Sequence, residues 1–411
     1  MQLITTKCLL KFTLLLSLVL IFKISDGQNS ANKWRGPLAN GIYDQPGLLE
    51  EWPENGPEIL WVYEGLGNGF SSPVFANGKI YLSGELDTLG YIFILNEDGS
   101  LITKYAYGEE FTRSYPGSRS TPTVVDNMLY MHSAEGKIYC LNEADGKKIW
   151  EKDLFNDFDG ENLRFGVTES LVVEDDLVYA TPGGSKYSLV ALNRFTGDVV
   201  WSVEANNGLS AYCTPLLFEF NNEKMLTTIM GDKIIGVNRQ SGELRWTYDY
   251  RNQRGIHPNT PIYNNGGLYC FSGYGYGGVK LQIAPDNKSV EKKFWSDVAE
   301  TKMGGAVLLN GIIYSSGDTN RGWYAVDWNT GEVLYQSKDL ANGVVIAAND
   351  LLYKYTDRGE LALVKPGVNS FEIISKTKVE HGTAQHWAHP VIYKGVLYVR
   401  HGNAIVAYKI S

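Results

Sequence analysis

Only four cysteines occur in the chain, Cys8, Cys140, Cys213 and Cys270, and no two are adjacent or closely spaced. That spacing argues against a disulfide framework and against a zinc site. Cys140 and Cys270 fall inside apolar strand-like runs, where a free cysteine acts as a small core residue. No amphipathic helical stretch of useful length competes with the strand pattern. No Gly-x-Ser-x-Gly nucleophile turn is present. Gly273-Tyr274-Gly275-Tyr276-Gly277-Gly278 lacks the Gly-Lys-Ser/Thr ending of a phosphate loop, and reads as a hairpin tip that sets two tyrosines at a rim. Asp157-Phe158-Asp159-Gly160-Glu161 lacks the ligand ladder of a calcium loop. Basic charge is also short: 37 Lys and Arg face 46 Asp and Glu, a net charge of −9. An acidic surface opposes a phosphate backbone, so nucleic acid is not an expected partner.

Long apolar runs are confined to the start of the chain. Residues 1–27 have the pattern of a secretory signal peptide, with Lys7 and Lys11 before the apolar stretch Phe12–Phe22. That stretch is too short to span a bilayer. Ser25 and Gly27 put small residues at −3 and −1 of a cut before Gln28. Its removal takes away three lysines and one aspartate and leaves a net charge of −11. The expected location is periplasmic or extracellular, with no transmembrane segment in the mature chain.

What the sequence has in abundance is a repeat. An apolar-Tyr pair after a turn returns at Tyr81, Tyr130, Tyr179, Tyr269, Tyr314, Tyr353 and Tyr398, at steps of 49, 49, 90, 45, 39 and 45. The long step is two repeats with one tyrosine missing. A period near 45 residues with short Val, Ile, Leu and Tyr runs between Gly-containing turns marks a propeller blade of four strands. Asn77-Gly78, Asp145-Gly146, Asn265-Gly266 and Asn310-Gly311 suit tight hairpins. Counting openings gives eight units. The last is one strand short, and Ile59-Leu60-Trp61 has the phase of a terminal strand with no blade of its own. The fold class expected is therefore all-β, an eight-bladed β-propeller over 57–411 whose last blade is closed by an N-terminal strand. Residues 28–56, rich in Pro and Gly, are expected to drape over the ring as an extended arm anchored by Trp34 and Trp52.

Asp145-Gly146-Lys147-Lys148-Ile149-Trp150, Thr196-Gly197-Asp198-Val199-Val200-Trp201 and Ser241-Gly242-Glu243-Leu244-Arg245-Trp246 resemble the pyrroloquinoline-quinone-like (PQQ-like) β-propeller repeat. The resemblance runs from about Trp61 to Tyr408. It implies one of two branches: quinoprotein dehydrogenases, or non-enzymatic propellers such as the assembly factor BamB. The enzyme branch carries an adjacent Cys-Cys pair, a calcium-binding carboxylate and amide set and a catalytic Asp. No adjacent cysteines occur here, and no motif matches the other two features. The BamB branch is usually lipidated, whereas here Cys8 precedes the apolar run and none follows it at a lipobox position. The expectation is a non-catalytic binding or scaffolding module for a protein or glycan, with no cofactor. The alternative is a dehydrogenase of the alcohol or polyvinyl-alcohol type, with pyrroloquinoline quinone and calcium.

Segments entering the innermost strands of a propeller converge on one rim. Their polar and aromatic residues are the candidate ligand site: Arg113, Tyr115, Arg119, Glu169, Tyr212, His257, Asn259, Trp387, His389 and Arg400. Arg164, Thr168, Thr214, Thr260, His386 and His401 lie in the same segments or blade. Arginines suit a carboxylate or sulfate, and the aromatics suit sugar rings or a flat cofactor. The same set also suits a water-filled channel whose side chains satisfy backbone groups.

Overall fold

A computed structural model of the chain describes residues 31–205, 208–367 and 369–411; the expected signal peptide lies outside the described residues. All regular structure among these is β, in eight four-stranded antiparallel sheets set in a ring. The innermost strands are Val74–Ala76, Thr123–Val125, Val172–Glu174, Leu216–Phe220, Ile262–Asn264, Val307–Leu309, Gly343–Ala348 and Val391–Tyr393, and they begin blades 1 to 8. The repeating tyrosines sit on the second strand of their blades and are buried between sheets. In blade 4 the third position after the tight turn is Met225, which is equally buried and accounts for the missing tyrosine.

The N-terminal strand closes the ring. Glu58–Tyr63 pairs antiparallel with Ala404–Lys409, with Trp61 opposite Ala407. Trp61 packs on Tyr398 and donates its indole N–H to the Glu97 carbonyl of blade 1. The same tie recurs. Trp150 donates to the Arg194 carbonyl and Trp201 to the Arg239 carbonyl, each in the next blade's last turn. The glycine of that turn serves the same contact. Gly242 has φ +75°, and a Cβ there would lie 2.7 Å from the Trp201 ring. The Thr/Ser-Gly and Trp of the repeat are thus two halves of one inter-blade joint, read in adjacent blades. Burial of each large side chain contributes roughly 1.5–3 kcal/mol. Blade 5 lacks the glycine, its turn using Asn287 at φ +60°, and there the Trp246 indole N–H has no partner among the described residues.

The arm does more than drape. Residues 31–43 enter the central channel and satisfy inner-strand groups that no neighbouring strand reaches. The Ala31 carbonyl accepts from Phe75 N–H at 2.8 Å, and Asn32 brackets Val124. Arg35 bonds the Ala306 carbonyl, and Ile42 bridges Ala347 in blade 7. Only the second half lies across the ring. Leu49 bonds Ile410, and the buried Trp52 packs on Tyr353 with its backbone N–H on Ser375. The expectation of a draped arm rests on Pro and Gly as breakers of regular structure. They also allow the turn at 35–41, where Arg35, Gly36, Ala39 and Gly41 all take positive φ.

Candidate functional site

Eight connections lead from an outer strand to the next inner strand, and they crowd one face of the ring. Between them opens a funnel of about 450 Å³. An arc of aromatic rings runs round it. Phe70 meets Trp387 at 5.2 Å, Trp387 meets Tyr115 at 4.8 Å, and Phe165 lies 6.4 Å from both Tyr115 and Tyr212. Tyr274 adds a further ring, and Trp34 of the arm packs against His389, 5.3 Å between centroids. Tyr115, Tyr212 and Tyr274 have φ of +51°, +73° and +63°. They are the only aromatic residues in the left-handed region among the described residues, and all three line the funnel. A bulky side chain there costs roughly 1–3 kcal/mol and persists where surrounding structure enforces it, which is common at functional sites.

Four cations line the same space: Arg119, Arg164, Arg254 and Lys302. No aspartate or glutamate does. Lys302 is partly neutralised by Asp318 at 2.8 Å. Arg119 donates to the carbonyls of Ser114, Tyr115 and Gly117 and so shapes the strained Tyr115 turn. Burial lowers its pKa to about 10, which leaves it charged at neutral pH. Arg164 and Arg254 are exposed, lie over Phe165 and Tyr274, and have no ion pair among the described residues. His389 is buried and neutral, its pKa lowered to about 3 by desolvation and by Arg35. Arg35 is a donor only, so Nδ1 of His389 accepts at 3.4 Å and Nε2 donates to the Met303 carbonyl at 3.1 Å. Both ring nitrogens are spent, and His389 holds the funnel base rather than a metal.

Of the ten sequence candidates, Tyr115, Arg119, Tyr212, Trp387 and His389 line the funnel. The other five stand outside it. Arg113 projects outward to Glu135 at 3.1 Å, with its side chain 61% exposed. Glu169 is buried on Thr181, 3.6 Å from His132, and desolvation raises its pKa to about 7. His257 packs on Tyr250, and burial lowers its pKa to about 4. Asn259 donates to the Phe271 and Thr301 carbonyls. Arg400 is fully buried between blades 8 and 1, on Ser71, the Ser83 carbonyl and the Gly402 carbonyl. The entering segments are extended, so side chains alternate between funnel and interior. Thr168 and Ser170 face the funnel with Glu169 behind, and Ile256 and Pro258 face it with His257 behind. His386 and His401 stack on each other at 3.7 Å, away from the lining. Sequence reasoning missed Trp34, Phe70, Phe165, Arg254 and Lys302, which carry no repeat signal.

Pyrroloquinoline quinone is a planar polyanion, and the aromatic arc with its cations fits that shape and charge. Its calcium is not matched. No carboxylate lines the funnel, and among the described residues no group of three His, Cys, Asp or Glu gathers to hold a metal. Cys140, Cys213 and Cys270 are buried, unpaired and outside the lining.

Residues 90–337 match a family described as outer membrane protein assembly factor BamB. Among curated relatives, the quinoprotein alcohol dehydrogenase PedH of Pseudomonas putida is 27% identical over 151 residues, 34% of this chain and 24% of that protein. The chain thus spans about a quarter of that relative's length. The assembly factor BamB of Shewanella oneidensis is 22% identical over 303 residues, 69% of this chain and 71% of that one. The crystal structure of BamB from Moraxella catarrhalis has the same fold, with a TM-score of 0.64 at 14% identity, covering 86% of this chain and 99% of that one.

Proposed function

The chain belongs to the BamB family of PQQ-like propellers, and from that membership we propose a non-catalytic binding module of the cell envelope whose funnel receives an anionic ligand. The observation that carries this reading is the pairing of three strained tyrosines with cations that no lining carboxylate opposes. Rings held at a cost, beside arginines that have no ion pair among the described residues, suit a planar or sugar-like anion. An envelope location agrees with the expected signal peptide and with the relatives named as outer membrane assembly factors. In this chain the partner role is that of presenting or retaining a ligand, protein or glycan, at the rim.

A quinoprotein dehydrogenase is the second reading, favoured by the PedH similarity and by the flat, cationic funnel. One titration separates the two. The chain without residues 1–27 is mixed with pyrroloquinoline quinone, with and without calcium, then dialysed and assayed for alcohol-dependent dye reduction. A binding funnel takes up the quinone reversibly, equally with and without calcium, more weakly as salt rises, and with no dye reduction. Arg254→Glu with Lys302→Glu weakens that uptake about tenfold or more. Calcium-dependent retention through dialysis, with dye reduction, makes the protein a dehydrogenase instead.

A further inference from the structure

Beside the funnel lies a second cavity of about 640 Å³, walled by the connections of blades 3, 4 and 5. The two share Arg164, Tyr212, Arg254 and Ile256, so the unpaired arginines stand at their junction. The cleft adds Arg251, Asn252 and Gln253. Its only carboxylate is Asp232, which lies 3.6 Å from the Lys233 ammonium. Each volume falls within the roughly 300–1,000 Å³ of a small-molecule site. A compact ligand fills one and leaves the other empty, with arginines at the seam facing both.

Resting on the anion-binding reading above, we infer that funnel and cleft form one elongated site for an acidic oligosaccharide, a chain of uronic acids. A sugar ring lies on the Trp387–Tyr115 arc, a carboxylate sits between Arg164 and Arg254, and the next rings run into the cleft past Arg251 and Gln253. Sugar rings offer an apolar face to aromatics and hydroxyls to side-chain amides. An acidic peptide fits less well. Extended peptides are commonly held by main-chain pairing to a strand edge, and no residue lining either cavity belongs to a strand. Bound here, a peptide leaves most of its amides without protein partners.

Calorimetric titrations test this with galacturonic acid, a galacturonate oligomer, a neutral glucose oligomer and oligoglutamate, at low and high salt. The expected order puts the galacturonate oligomer about tenfold or more above the single sugar acid, because the second subsite acts in tandem with the first. The neutral oligomer and oligoglutamate bind far more weakly. Arg251→Ala with Gln253→Ala lowers the affinity of the galacturonate oligomer about tenfold, to near that of the single sugar acid, whereas Trp387→Ala weakens both. Equal affinity for monomer and oligomer, or for oligoglutamate and galacturonate oligomer, overturns the inference. If the single sugar acid or the quinone still binds in that case, the anionic funnel stands and only the extended site falls. If no anion binds, both fall.

Discussion

Lowering the pH from 6.5 to 5 is expected to remove about 3 kcal/mol of folding stability through four buried groups, three histidines and one glutamate. His132, His257 and His389 are buried with pKa values lowered to about 3, 4 and 3. The cause is desolvation, aided at His389 by the neighbouring Arg35. Above the ordinary histidine value of about 6.5 all three are neutral in both states and cost nothing. Below it the unfolded chain takes up their protons and the folded one does not, so stability falls with pH. Glu169 works in the opposite direction. Its raised pKa of about 7 lets the folded state bind a proton first, which adds stability as pH drops from 7 towards 4.5. One carboxyl offsets roughly a third of what three histidines remove. Urea midpoints at the two pH values measure the difference. In His389→Gln, whose amide can still donate to Met303 and accept from Arg35, the loss should shrink by about 1.5 kcal/mol. A pH-independent midpoint over this range would show that these rings are hydrated.

Arg400→Met is expected to cost about 3 kcal/mol, at the seam where the two ends of the chain meet. The guanidinium is fully buried without a carboxylate, its pKa lowered to about 9, and it bonds Ser71, the Ser83 carbonyl and the Gly402 carbonyl. Methionine fills most of the volume but leaves the Gly402 carbonyl without this donor in closed space, at roughly 1–3 kcal/mol, and takes one charged donor from Ser71 Oγ and the Ser83 carbonyl, which keep their bonds to each other. Relief of the buried charge returns part of that. Gly69 packs against the arginine head, where a Cβ would meet Nη2 at 2.4 Å, so the slot is built around this side chain. Denaturant unfolding reads the effect as a fall in midpoint without change of slope. A change below about 1 kcal/mol would mean that the seam relaxes to satisfy its own groups.

The ring was legible because its signal is periodic. The tyrosine step, the turn glycines and the tryptophans are set by the same inter-blade joint in blade after blade, so one missing member, at Met225, did not hide the rest. Even the closing strand announced itself through the phase of Trp61. The funnel was only half legible, and the reason is parity. In an extended entering segment, a shift of one residue exchanges funnel for interior. His257 and Asn259 have the chemistry of a ligand site, yet Ile256 and Pro258 face the space. Polar type pointed the wrong way, since a buried histidine or amide that satisfies backbone carbonyls looks in sequence like one awaiting a ligand. Arg254, Lys302 and Phe70 lie in connections that differ from blade to blade, where no repeat marks a side chain's direction. The place of Trp34 depends on the arm threading the channel, a long-range contact without a local signature.

The anionic preference of the funnel is open to direct observation. Crystals soaked in selenate and measured at the selenium absorption edge locate bound anions by anomalous scattering. The expected map has its strongest peaks among Arg164, Arg254 and Lys302, within reach of the aromatic arc, and loses them in Arg254→Glu. Anion peaks on the outer faces of the blades, with none in the funnel, would contradict it.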